Sequence, residues 1–232
     1  MPLGSVNLNL HTGGRRVYRD SFLSGNATVS TTQAKFGSSS LYLNGNTTDR
    51  QTFGSIPMSG PAGGPPKYPN ITIEFWYYKV QNSSVSYILF DCVAVGTGWE
   101  FVPSSNGSLA IRTQDFSTGT GVTKSISSGG LALNTWHHVA SVRSGDTWGF
   151  WTNGTSHGTF TNTDFRESNT VRALSSQTGS PAALTYIDEF RISYVSRYTP
   201  GVDFTPPTAP FVNDLDTVCL FHYEDGIKDD NL

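Results

Sequence analysis

Nine residues, Ile71–Lys79 (ITIEFWYYK), set the terms for what this chain can become. In an extended backbone Ile71, Ile73, Phe75 and Tyr77 fall on one face, and Trp76 and Tyr78 fall on the other. A strand that is apolar on both faces has to be covered on both, so this segment predicts a central strand. Shorter β-type runs surround it: Ser40–Asn44, Tyr87–Val95, Trp99–Val102, Ser108–Arg112, Trp136–Arg143, Thr147–Thr152, Ser156–Phe160, Tyr186–Tyr194 and Asp216–His222. Gly/Ser/Asn/Pro clusters separate them, with turn pairs at Asn44-Gly45, Asn106-Gly107 and Asn153-Gly154. Trp136–Phe160 reads as a meander of hairpins. Within Tyr186–Tyr194, strict alternation puts Ile187, Glu189, Arg191 and Ser193 on one side, and Asp188, Phe190, Ile192 and Tyr194 on the other. No segment has a convincing amphipathic helical period. The pattern predicts an all-β jelly-roll β-sandwich of two antiparallel sheets in a single domain over residues 1–232, with an acidic C-terminal tail from about 223.

Composition agrees with this and removes several functions. Aromatic residues make up 12% of the chain, enough for a substantial core, whereas charged residues make up only 14%, against roughly 25% in ordinary domains. The net charge of −3 argues against a nucleic-acid binder. Cys92 and Cys219 cannot build a multi-bridge scaffold or a four-thiolate zinc site. Two buried thiols are the expectation, with a single Cys92–Cys219 bridge as the alternative. Met1–Leu10 lacks the basic and apolar regions of a secretory signal, and no stretch approaches the ~20 apolar residues of a membrane span, so a soluble protein without membrane insertion is expected. Val6–His11 (VNLNLH) echoes Val218–His222 (VCLFH), which suggests that the first and last strands are neighbours.

The order of motifs resembles the concanavalin A-like lectin/glucanase superfamily, in its laminin-G-like branch. Ala34–Gly45 (AKFGSSSLYLNG), Ile71–Tyr77 (ITIEFWY), Asn134–Arg143 (NTWHHVASVR), Tyr186–Ser193 (YIDEFRIS) and Arg197–Phe211 (RYTPGVDFTPPTAPF) stand in family order. The last segment is similar to the tail of such domains in bacteriophage, especially cyanophage, virion proteins. The resemblance implies a concanavalin A-like jelly roll. The fold hosts lectins, adhesion modules and glucanases, so the site must decide the function.

Catalysis finds little support in the residues. The glucanases of the superfamily carry an acidic triplet on one strand, but Ile71–Lys79 offers Glu74 alone. Asp188 and Glu189 are adjacent, so alternation sends them to opposite faces, and a structural role is expected of both. There is no G-x-S-x-G elbow, H-E-x-x-H or P-loop. His137 and His138 should likewise face opposite ways, one buried and one exposed. His11 and His222 could approach each other only through the terminal strands, and two histidines do not make a zinc site. Laminin-G-like relatives often bind Ca2+, and by that resemblance Asp20 and Asp188 are the candidate ligands. Turn-capping carboxylates are the equal alternative. For a glycan, Trp99, Trp148, Trp151 and Tyr78 are the candidate platform residues, with Tyr68 and Tyr77 as further aromatics, because sugar C–H faces stack on rings while hydroxyls hydrogen-bond. Trp148 and Trp151 have opposite parity, so at most one should point outward. Sequons such as Asn26-Ala-Thr and Asn153-Gly-Thr follow from the Ser/Thr/Asn-rich composition. Together these features imply a non-enzymatic virion surface module, a capsid or tail appendage. Its expected partners are copies of itself, other virion structural proteins and host-surface glycans. A free-standing Ca2+-dependent lectin is the alternative.

Overall fold

The structure is a computed structural model that describes residues 21–46, 48–55, 69–82, 88–91, 99–115, 122–163, 170–175 and 184–228. These residues form fifteen strands and no helix. They are β1 (Phe22–Ser24), β2 (Thr28–Ser30), β3 (Ser40–Leu43), β4 (Arg50–Ser55), β5 (Asn70–Lys79), β6 (Ile88–Asp91), β7 (Trp99–Pro103) and β8 (Ser108–Asp115), followed by β9 (Val122–Gly130), β10 (Trp136–Ser144), β11 (Thr147–Thr152), β12 (Thr155–Thr161), β13 (Thr170–Ser175), β14 (Thr185–Ser193) and β15 (Thr217–Phe221). One sheet runs β1-β4-β13-β6-β7-β8-β9, and the other runs β12-β11-β10-β5-β14-β3-β2. β15 pairs with the C-terminal half of β14, beside the stretch that β3 takes from its N-terminal half. Val6–His11, the expected partner of the last strand, lies outside the described residues, as do Cys92 and Tyr68. Cys219 is buried on β15.

β5 is central, as its two apolar faces require. It pairs with β10 on one side and β14 on the other. Its inner residues Ile71, Ile73, Phe75 and Tyr77 meet Trp99, Phe101, Leu109 and Ile111 of the facing sheet, and Phe75 touches Phe101 edge-on at 5.1 Å between ring centroids. Trp148 and Phe150 of β11 and Ile187, Phe190 and Ile192 of β14 join the same core. Tyr77, expected among the exposed aromatics, is therefore a core residue.

Strict alternation fails in β14. A β-bulge interrupts the pairing with β5 between Asp188 and Arg191, and Glu189 takes a positive φ of 53°. The extra residue resets the phase. Asp188 and Arg191 both lie on the outer face, opposite Trp76 and Glu74, while Phe190 joins Ile187 and Ile192 inside.

The outer face of this sheet is roofed by the chain between β14 and β15, residues 194–216, which contains the Arg197–Phe211 motif. Tyr198 and Phe204 stack on each other, 3.6 Å apart and 4° from parallel, and pack on Ala140, Val142 and Trp151. Phe211 packs beside Trp76 and Leu220. Polar ties hold the roof. The Thr72 hydroxyl donates to Val195 O (2.6 Å) and accepts from the Arg197 N–H, Trp151 Nε1 donates to Val202 O (2.9 Å), and the Phe204 N–H donates to Gly154 O (2.9 Å). The Trp151 indole lies where a side chain at Gly149 would stand, so that residue has to be glycine.

Gly154 sits in the β11–β12 turn at φ 78°, with Phe204 O where a Cβ would stand. Gly154→Ala is therefore expected to lose more than the ~1–2 kcal/mol of a left-handed alanine, because the roof must also move. Gly129→Ala, at a residue with open space around it, should change stability by less than about 0.5 kcal/mol. Urea midpoints of the two variants make the comparison.

Candidate functional site

On the outer face of the eight-stranded sheet the residues of β5 fall into four rows with their cross-strand partners. Thr72 aligns with Ser193 and Val142, Glu74 with Arg191 and Ala140, Trp76 with Asp188 and His138, and Tyr78 with Tyr186 and Trp136. Among the described residues, the roof and residues 33–36 cover the first three rows and leave the fourth half open.

The second row is electrostatic. Glu74 is fully buried. Arg191 donates to its Oε1 from Nε (2.9 Å) and Nη2 (2.7 Å), and the Tyr198 hydroxyl donates to Oε2 (2.7 Å). His138 Nε2 lies 3.3 Å from Oε2, and Arg197 Nε is 3.8 Å from Oε1. Burial alone would raise the Glu74 carboxyl, but the His138 contact, the Arg191 charge and the Tyr198 hydrogen bond hold it below the usual range. Burial and the neighbouring Glu74 charge push the Tyr198 phenol up, so it stays a donor. Arg191 also donates to Val212 O (3.2 Å) and lies 4.2 Å from the Phe211 ring. This centre ties the roof to the sheet. Sealed from solvent, Glu74 has no access to a glycosidic bond.

The third row carries the carboxylates of the Asp188-Glu189 pair. Asp188 Oδ2 accepts the N–H groups of Lys35 (2.7 Å) and Phe36 (3.2 Å), and Oδ1 accepts the Glu189 N–H (2.8 Å). Glu189 Oε2 accepts the Phe211 N–H (2.6 Å), and Oε1 meets His222 Nδ1 at 2.7 Å. Both therefore fasten loops, which is the structural role expected, although the bulge replaces simple alternation. Phe36 meets Trp76 edge-on, and Lys35 Nζ sits 3.9 Å above the Trp76 ring.

The fourth row is aromatic from strand to strand. Tyr42 of β3, Tyr186 of β14, Tyr78 of β5 and Trp136 of β10 stand in register. Their ring centroids are 4.8, 5.8 and 5.3 Å apart in that order. Interplanar angles of 33°, 82° and 57° make it a corrugated strip and not a flat plate. Tyr42, Tyr78 and Trp136 are half-buried, and Tyr186 keeps 8% exposure. None of the three phenol hydroxyls has a hydrogen-bond partner among the described residues. Burial, with the nearby Tyr186 and Asp49, raises the Tyr42 phenol above its ordinary value.

Of the sequence-predicted platform residues, only Tyr78 is in this strip. Trp99, Trp148 and Trp151 have no exposed surface: the first two lie between the sheets, and Trp151 lies under the roof. Their burial leaves no ring face for a sugar. Parity correctly separated Trp148 from Trp151, but the outward one is covered. Tyr42, Tyr186 and Trp136 were not singled out, because what unites them is cross-strand register. His137 and His138 do face opposite ways, yet both are buried: His137 contacts Ala132 O and Asn153, and His138 lies beside Glu74. Asp20 lies outside the described residues. Asp188 uses both oxygens on backbone amides, and no group of three or more His, Cys, Asp or Glu side chains able to hold a metal occurs among the described residues, so these residues do not fit a calcium site at Asp188. The start of the acidic C-terminal segment is seated on the fold. Tyr223 is buried, and Glu224 accepts the N–H groups of Ser38 and Ser39.

Two variants test the polar rows. Glu74→Ala leaves Arg191 buried without its carboxylate and should cost about 3–5 kcal/mol in urea unfolding, with residues 194–216 becoming susceptible to limited proteolysis. Burial and the adjacent Glu189 charge raise the Asp188 carboxyl to about 7 against its amide hydrogen bonds. In the unfolded chain it ionises near about pH 4, so between these values the folded state holds the extra proton. Relative to Asp188→Asn, the wild type should lose stability as pH rises from about 4 to about 7, with a constant difference above that. Thermal unfolding of both proteins across this range reads the slope.

A family model described as the concanavalin A-like lectin/glucanases superfamily, of laminin G type, matches residues 65–198, more than half of the chain. No curated protein matches by sequence. Similar solved structures include the receptor-binding domain of botulinum neurotoxin C/D mosaic serotype, at TM-score 0.60 and 15% identity over 78% of this chain and 44% of that one. The botulinum neurotoxin type G receptor-binding domain gives TM-score 0.56 and 14% identity over 81% and 44%. A botulinum neurotoxin type C structure, described by that toxin's dependence on two ganglioside molecules for cell entry, gives TM-score 0.60 and 16% identity over 78% and 44%. The chain thus spans less than half the length of these structures, and at such identities the likeness is one of fold. With the family match over β5, β10 and β14, and the antiparallel sandwich that carries them, the chain belongs to the concanavalin A-like lectin/glucanase superfamily.

Proposed function

We propose that this chain is a non-enzymatic carbohydrate-binding surface module that takes a saccharide across the strip Tyr42–Tyr186–Tyr78–Trp136. The strip itself carries the reading. Four consecutive strands each place one aromatic on the same row, at centroid spacings of 4.8–5.8 Å, beside the rows that the roof covers. Rings receive the C–H faces of a sugar, and phenol hydroxyls without partners among the described residues suit its hydroxyl groups. The corrugation favours a single chain over a crystalline polysaccharide surface. The non-enzymatic reading is supported by the carboxylates: Glu74 is sealed, and Asp188 is bound to amides. The ganglioside dependence stated for the type C neurotoxin is in keeping with a saccharide ligand on this fold, by analogy only.

The setting we propose is a bacteriophage virion, as a self-associating surface appendage that contacts host glycans and other virion proteins. The support is the Arg197–Phe211 segment, whose resemblance to virion domains falls on the roof that defines this variant of the sandwich.

Glycan-array and calorimetric binding test the site. Tyr186→Ala and Tyr78→Ala should each weaken binding by about tenfold or more, the equivalent of ~1.4 kcal/mol, while Trp99→Phe, inside the core, should leave affinity unchanged. Wild-type protein that binds no saccharide, or variants that bind as well as wild type, would refute the assignment. Light scattering of the purified protein should show a multimer of the same mass with and without EDTA.

A further inference from the structure

We infer that the saccharide taken by the aromatic strip carries a carboxylate, and that Lys35 is the group that receives it; the inference rests on the carbohydrate reading above and specifies its ligand. Lys35 borders the strip. Its ammonium lies 3.9 Å from the centroid of Trp76 and 5.4 Å from that of Phe36. Trp76 precedes Tyr78 by two residues on the same face of β5, so the indole on which the ammonium rests stands one row from the Tyr78–Tyr186 pair, about 7 Å along the strand. The position is built. The Lys35 and Phe36 amides are both anchored on Asp188, and Phe36 is braced edge-on against Trp76, so the side chain leaves the backbone at a fixed point.

Among the described residues, the other cations that meet this face are spent. Arg191 is consumed by Glu74, and Arg197 pairs with Asp214 at 2.8 Å. Lys35 makes no ion pair among the described residues and is half-buried. An ammonium resting on an indole face keeps donors for another partner, since the ring occupies only one side of it. The protein as a whole carries a charge of −3, so an acid attracted here is recognised by a local group and not by a general positive field.

The position of the ammonium bears on the acid. It rests on Trp76, the neighbour of Tyr78 on the same face of β5. A carboxylate bonded directly to a pyranose ring lies at the edge of that ring, so a sugar stacked on Tyr78 and Tyr186 can place one against Lys35. A sulfate ester projects one bond further from the ring, so the sulfated set is the comparison that tests the choice of acid. A sugar acid within an oligosaccharide supplies the stacking face and the anion in one unit.

The experiment compares oligouronates with their carboxyl-reduced, neutral counterparts, so that linkage and length stay constant and only the charge changes. Sulfated derivatives of the neutral set form a third arm. Calorimetric titration of the wild type should show at least tenfold tighter binding of the uronates than of the neutral or sulfated sets, with the advantage shrinking as NaCl rises. Lys35→Gln should remove the advantage and leave neutral-sugar affinity in place, Lys35→Arg should retain part of it, and Tyr186→Ala should weaken all three sets together. Equal binding of acidic and neutral sets by the wild type, with Tyr186→Ala weakening both, would overturn the charge assignment and leave the carbohydrate reading standing. A preference for the sulfated set, or a Lys35→Gln variant that folds normally by circular dichroism yet loses neutral sugars too, would also overturn it. Binding of none of the three sets would refute both readings, and dimerisation through the strip that Tyr186→Ala abolishes would replace them with a self-association surface.

Discussion

The arrangement of the outer face depends on one buried carboxylate. Glu74 is at the middle of the central strand, and its partners come from three further parts of the chain: Arg191 from β14, His138 from β10, and Tyr198 with Arg197 from the roof. Moving a carboxylate from water into an interior carries a large desolvation cost, which is recovered only when its oxygens are fully matched. Here both oxygens receive donors, and the guanidinium closes as a fork on one of them. Such a centre adds less to net stability than to uniqueness. Any alternative seating of residues 194–216 would leave Glu74 or Arg191 buried without its match, so the roof has one low-energy position.

The same economy governs the loops. A chain in which 14% of residues are charged spends its carboxylates on backbone amides. Asp49 accepts from Asn26, Asn44 and Asn46 and shapes the β3–β4 connection. Asp203 holds the Ser156 amide, and Asp214 gathers Asp216, Thr217 and Arg197. Glu224 seats itself where a side chain at Gly37 would stand, which explains the glycine of the Lys35-Phe36-Gly37 segment at φ 63°. In a fold without helices among the described residues, loop amides lack helical partners, and short acidic side chains satisfy them.

This explains which parts of the architecture are legible in sequence. The centrality of β5 is local information, since two apolar faces demand two covers. The β10–β12 meander is equally local, written in Ser144-Gly145-Asp146 and Asn153-Gly154. The phase of β14 is not local. Nothing in YIDEFRIS marks Glu189 as an inserted residue, and the bulge exists because Asp188 and Arg191 both find partners on the outer face. The burial of Trp151 is also non-local, because it requires knowing that a segment some fifty residues later donates Tyr198 and Phe204 as its cover. The strip is the extreme case. Tyr42, Tyr78, Trp136 and Tyr186 are unremarkable one at a time, and only the register of three strand pairings makes them a row.

The roof's stopping point gives the strip its significance. A covered row needs a covering segment whose own polar groups are satisfied, and the ties at Thr72, Gly154, Trp151 and Glu189 supply that for three rows. Beyond them the chain turns back at Phe211 into β15, and in the fourth row Tyr42, Tyr78 and Trp136 stay half-exposed around the more buried Tyr186. Adjoining aromatics left half open would invite nonspecific association if they were purely apolar. Three of them are tyrosines, whose hydroxyls keep the strip wettable while the ring faces stay available, and Lys35 stands at its border. A surface that is apolar in its faces, polar at its tips and cationic at one side is poorly suited to burying another protein's core, and well suited to a hydroxylated ring that bears an acid.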